Sequence, residues 1–101
     1  MTRIGVDAYV LDTLMRELVG HDKKPSAFLV YLHLWRRSRG GQIDGVQASH
    51  QAVARATGLS RSAVQDAIKV LARRKLIRSI RTSRTSAPMY DVRRPWGRGT
   101  A

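Results

Sequence analysis

The chain has no cysteine, which excludes disulfides and thiolate metal sites and fits a reducing, cytoplasmic setting. It also lacks a long hydrophobic run. The most apolar stretch, Ala27 to Trp35, is interrupted by Tyr31 and His33 and falls far short of the roughly 20 residues that span a bilayer. The opening MTRIGVDAYV lacks the charged-then-apolar order of a signal peptide, so neither export nor a membrane is expected. No glycine-rich phosphate loop follows a strand pattern, and no set of Ser, His and acid has a recognisable catalytic context. An enzyme is therefore not expected, and no catalytic residue is assigned. His21, His33 and His50 are far apart in sequence and show no metal-ligand spacing, so neither a metal nor a cofactor is expected. Acids are scarce too: seven Asp and Glu stand against nineteen Lys and Arg, a formal charge of +12.

What is present starts with that charge and where it lies. Met1 to Ser60 holds eight bases and five acids, whereas Arg61 to Ala101 holds eleven bases and two acids. A basic block of this kind attracts a polyanion, because each phosphate it neutralises releases counterions. A merely solvated surface would also be basic, but here the bases fall on defined structural positions rather than in a charged tail. With 101 residues the chain has room for one domain and a small core, whose stability would gain from subunit association.

Periodicity divides the chain. From Asp7 to Val19, the residues Val10, Leu11, Leu14, Met15 and Leu18 recur at helical spacing, with Gly20 as a stop, and predict an amphipathic helix. After the connector GHDKKP, whose Pro suits a first helical turn, Ser26 to Arg37 is apolar almost all round and reads as a buried central helix. SRGGQIDG is a loop by composition, and VQAS a short strand or extended lead-in. Ser49 caps a helix from His50 to Thr57, and Ser60 caps another running to about Arg74. LIRSIRT and PMYDVRR read as short strands around a polar tip, SRTSA.

The stretch ARATGLSRSAVQDAIKVL, Ala54 to Leu71, joins the two capped helices. Val53 and Ala54 face inward, and Ala54 is small because a second helix crosses close to it. Gly58 suits the left-handed conformation that ends a helix, and Leu59 tucks under the turn. Val64, Ala67, Ile68 and Leu71 then form one buried stripe. At 100° per residue the opposite side carries Ser62, Asp66, Lys69 and Arg73, with Gln65 beside them and Arg61 on the flank. Together these features mark a helix-turn-helix.

HQAVARATGLSRSAVQDAI resembles the helix-turn-helix of DNA-binding proteins, and KVLARRKLIRSIRTSRTSAPMYDVRR resembles the remainder of a winged helix domain. The resemblance covers about Ser26 to Arg94 and is similar to bacterial regulators of the MarR and GntR type and to winged helix domains of plasmid and phage replication initiators. The chain departs from the first in lacking a long C-terminal helix, and from the second in lacking an effector domain. It implies a mainly α fold with a small β-wing: a three-helix core and a two-stranded wing over residues 25–94. An extra N-terminal helix occupies residues 1–24, and residues 95–101 form a flexible basic tail. It also implies a cytoplasmic protein that binds double-stranded DNA, with regulation of transcription favoured and replication or partition the first alternative.

Under that resemblance Arg61, Ser62, Gln65 and Asp66 are candidates for base contact. Ser49, Ser60, Lys69, Arg73, Arg78, Arg81, Arg84 and Thr85 are candidates for phosphate or minor-groove contact. Asp66 would either orient Lys69 or accept a hydrogen bond from a cytosine amino group. Arg78, Arg81 and Arg84 could equally discourage strand pairing at a sheet edge. Trp96 would cover an apolar patch or lie loose among Arg93, Arg94 and Arg98, where it could help hold DNA. Val10, Leu11, Leu14, Met15 and Leu18 would pack in cis or form a homodimer that sets two recognition helices ~34 Å apart. A winged helix that docks proteins instead of DNA is the alternative of another class.

Overall fold

The computed structural model describes residues 2–80 and 86–100, with side chains through residue 97. The fold is mainly helical, with a small three-stranded antiparallel sheet. After the N-terminal helix come α1 (Pro25–Arg37), β1 (Val46–Gln47), α2 (His50–Thr57), α3 (Arg61–Arg73), β2 (Ile77–Ile80) and β3 (Met89–Val92). A short 3-10 segment, Pro95–Thr100, follows.

The N-terminal helix departs from the expected α-helix. It is wound with π-type turns over Val10–Leu14 and Arg16–His21, and it runs through Gly20 rather than stopping there. Its end is closed by the Lys24 N–H donating to the Leu18 carbonyl, with Lys23 in the left-handed region at φ 55°. In an α-helix Leu11 and Leu18 would share a face. More residues per turn break that alignment. Val10, Leu14 and Leu18 are buried in the chain's own core, whereas Leu11, Met15 and Val19 stay exposed. The five residues assigned to one face are thus split. Those inside cannot also meet a second copy.

α1 is the post against which the other helices pack, and Pro25 occupies its first turn, where a missing N–H costs nothing. Ala27, Phe28, Val30, Tyr31, Leu34 and Trp35 are buried, while Leu29 faces solvent, so α1 is enclosed on all but one side. The Ser38 hydroxyl, fully buried, donates to the Trp35 carbonyl and accepts from the Gly41 N–H.

The sheet has the order β1-β3-β2. Val46 pairs with Tyr90 and Gln47 with Met89, so VQAS supplies a third strand beside the hairpin. In the hairpin Ile77 lies opposite Val92 and Ile80 opposite Met89. The Ile80–Met89 end therefore leads to the hairpin tip, and the Ile77–Val92 end points away from it. Tyr90 and Val92, alternate residues of β3, are buried against the helices.

The C-terminal segment also departs from expectation. Trp96 stacks on Tyr9 at 4.6 Å between ring centroids and lies parallel to Trp35 at 6.4 Å. Its indole N–H donates to an Asp7 carboxylate oxygen at 3.1 Å. Of the two roles open to Trp96, the structure shows the cover over an apolar patch. Residues 95–97 are pinned rather than loose. Asp7, placed by its sequence at a helix start, holds Trp96 and Arg94 with its side chain.

Of the four glycines at positive φ, Gly58 and Gly41 differ most in what a side chain would meet. Gly58, φ 83°, has open space where a Cβ would go. Gly41, φ 88°, has the Val92 carbonyl oxygen 3.0 Å from that position. Gly58→Ala is expected to lose about 1 kcal/mol from backbone strain alone. Gly41→Ala, where the methyl also meets backbone, should lose about 2–3 kcal/mol. Urea denaturation of both variants checks the ranking, and equal losses would contradict it.

Candidate nucleic-acid interface

α2 and α3 are set by matched caps. Ser49 Oγ accepts from the Ala52 N–H at 3.0 Å and Ser60 Oγ from the Ala63 N–H at 3.1 Å, each satisfying an orphan donor at a helix start. Both hydroxyls were candidates for phosphate contact. Each keeps its own proton to donate while acting as a cap.

Between the helices, the Gly58 N–H donates to the Ala54 carbonyl and Leu59 packs partly buried against the core. Thr57 adds a lock that the sequence reading did not single out. Its hydroxyl donates to the Val53 carbonyl at 2.7 Å and accepts from the Leu59 N–H at 3.3 Å, spanning the turn. A Thr just before a helix-ending Gly is the signal that could have identified it.

α3 buries Val64, Ala67, Ile68 and Leu71, and Val70 with them. Arg61, Ser62, Gln65, Asp66, Lys69 and Arg73 are all exposed, on the side predicted for them. The thirteen residues of α3 extend over about 18–20 Å, with Arg61 and Ser62 at its start and Arg73 at its end. Among the described residues, no acid forms an ion pair with Arg61, Lys69 or Arg73. No ion pair joins Asp66 to Lys69 either, so the orienting role suggested for Asp66 has no contact behind it here. Arg78 is exposed on β2, opposite Asp91 in register. Arg81, Arg84 and Thr85 lie outside the described residues.

Arg74, next to Arg73, is spent internally. Its guanidinium donates to both Asp22 carboxylate oxygens, at 2.6 and 2.8 Å, and to Glu17 at 2.9 Å. The end of α3 is thereby bolted to the N-terminal helix. The Arg74 hydrogen bonds, followed by that from His21, hold the Asp22 carboxyl well below the usual carboxylate range. His33, on α1, is held below its ordinary value by burial and then by the nearby Arg37 charge.

No protein-family model, curated protein or solved structure gives a significant match to the chain. Among the described residues no three His, Asp or Glu side chains converge into a metal site. No helix among them is long and apolar enough to cross a membrane. What α3 offers chemically is a row of hydrogen-bond donors and charges: a guanidinium and an amide suited to base edges, then an ammonium and a second guanidinium suited to phosphates.

The ion pair at Arg74 carries a test of its own. Because the folded-state value of Asp22 is lowered, its stabilisation is present at neutral pH and is lost as pH falls through and below the ordinary carboxylate range. Asp22→Asn should cost about 1–2 kcal/mol at pH 7 and flatten the acid limb of stability against pH. Thermal melts between neutral and acid pH measure this, and parallel acid limbs for both proteins would contradict it.

Proposed function

We propose that this chain is a winged helix protein that binds duplex DNA, with α3 as the recognition helix and the β2–β3 hairpin as the wing. The order α1, β1, α2, α3, β2, β3 and the antiparallel sheet are compatible with that fold. One observation carries the reading. α3 is the second helix of a Gly58-turned pair, and its solvent face offers Arg61, Ser62, Gln65, Lys69 and Arg73 with none of its bases tied to an acid among the described residues. A helix that only needed solubility would gain from pairing such charges along its surface.

In this reading the start of α3 enters the major groove. Gln65 pairs with an adenine edge and Arg61 with a guanine, while Ser62 tolerates either. Asp66 accepts a hydrogen bond from a cytosine amino group or, alternatively, orients Lys69. Lys69 and Arg73 hold phosphates and fix the register. Arg78 joins them from the wing strand, and Arg81, Arg84 and Thr85, outside the described residues, are the further candidates for the adjacent backbone or minor groove. Occupancy of a promoter would make the chain a regulator of transcription. Occupancy of an origin would assign it to plasmid or phage replication. A second copy on a palindromic site would have Leu11, Met15 and Val19 to meet, since Val10, Leu14 and Leu18 are consumed inside the domain.

Binding to duplex DNA titrated against salt tests the proposal. Lys69→Ala and Arg73→Ala should weaken binding to all sequences and each lower the salt slope by about 1. Gln65→Ala should instead weaken binding roughly tenfold for one base pair at one position, leaving the slope unchanged. Weak binding that none of the three alters would reject the proposal in favour of a protein-docking module.

A further inference from the structure

The positive charge is not confined to the α3 face. Lys75, Arg93 and Arg94 sit at the Ile77–Val92 end of the sheet, away from the hairpin tip, where the Arg93 N–H donates to the Leu76 carbonyl. They line a groove there that runs along β2 past Arg78 to Ser79. A second groove, lined by Arg3, Arg36, Arg39 and Arg94, opens between the N-terminal segment and the end of α1. Arg94 borders both, so the two adjoin at its side chain. Two acids line them, Asp7 and Asp44, and Asp7 is engaged with Trp96 and Arg94. Arg3, Arg36, Arg39, Lys75 and Arg93 are exposed and form no ion pair among the described residues.

The size of this cluster matters. α3 carries three bases and one acid of its own, Arg61, Lys69, Arg73 and Asp66. Besides Arg78, which belongs to the wing strand β2, the rear surface carries six bases against two acids, so it rivals the recognition helix as a source of field. Lys75 lies beyond the far end of α3, about 20 Å along the chain's helical axis from Arg61. Of the described residues assigned to the first duplex, Arg78 alone lines either groove. Holding so many like charges at one end of a small domain is unfavourable unless a polyanion relieves it. Five of the six bases are arginines, whose planar forks suit phosphate oxygens.

We infer that Arg3, Arg36, Arg39, Lys75, Arg93 and Arg94 form a second phosphate-backbone surface that takes a second DNA duplex, making one copy of the chain a bridge between two segments. The inference rests on the reading of α3 as the first DNA-binding surface. Contacts at the rear surface are to phosphates, so the second duplex is held without regard to sequence.

A capture experiment tests it. One duplex is tethered to beads, protein is bound, and retention of a second, labelled duplex is measured in parallel with affinity for a single duplex. Arg39→Gln, Lys75→Gln and Arg93→Gln are combined in one variant, with Lys75→Glu alone as a milder second; thermal melts confirm that both fold. The wild type should retain the labelled duplex. The triple variant should lose about tenfold or more of that retention while binding a single duplex within about threefold of wild type, with Lys75→Glu in between. Three results would overturn the inference while sparing the α3 reading. The wild type could bind one duplex and capture no second. Capture could survive in both variants, which would place bridging on paired copies. Capture could survive while the triple variant loses binding to vesicles of equal phosphatidylserine and phosphatidylcholine, which would assign the surface to lipid. Failure of the wild type to bind even one duplex would instead sink the α3 reading and this inference with it.

Discussion

Everything exposed on α3 is dictated by what α3 has to bury. Val64, Ala67, Ile68 and Leu71 must leave water, and the surface that receives them is α1, itself apolar on all but one side. Burial of side chains of this size is worth roughly 1.5–3 kcal/mol for each of the larger ones, far more than any single surface contact. With that stripe fixed at helical spacing, Ser62, Gln65, Asp66, Lys69 and Arg73 have no direction left but outward. The Gly58 turn, with Thr57 closing it and Leu59 as its plug, then sets the angle of that face against α2. Packing thus decides the presentation, and the polar residues decide only what is presented.

Two further ties fasten this unit to its ends. Arg74 bolts the end of α3 to Asp22 and Glu17, and Trp96 clamps the C-terminal segment between Tyr9 and Trp35. Tyr31 adds a third link across the core, its hydroxyl donating to the Arg93 carbonyl at 2.9 Å, and burial pushes that phenol's pKa up. These links matter in a domain this small, where a single core leaves little margin. They also fix Arg93 and Arg94 beside the end of α1, so the rear cluster of bases is a product of the fold and not of a loose tail.

Much of this was legible in the residues. The buried stripe of α3, the inward Ala54, the Gly58 turn and both serine caps follow from spacing and side-chain chemistry, because each depends on neighbours within one or two helical turns. The N-terminal helix was legible as a helix, but its winding was not. Its apolar residues fit an α-helical face, but the π-type winding that separates Leu11 from Leu18 is not encoded in apolar spacing. Trp96 and Arg74 were undecidable from sequence, since their partners lie 89 and 52 residues away. Likewise, counting bases along the chain located a basic C-terminal part, whereas only the folded arrangement brings Arg3, Arg36 and Arg39 beside Arg94.

We propose that the outward face of α3 reads duplex DNA. Selection of bound sequences from a random duplex pool tests it most directly, run in parallel with wild type and with Arg61→Ala combined with Gln65→Ala. An enriched motif is expected for the wild type that loses information at particular base pairs in the variant, while binding to unselected DNA persists. No enriched motif for the wild type, with affinity no higher than that of an ordinary cationic protein, would contradict it.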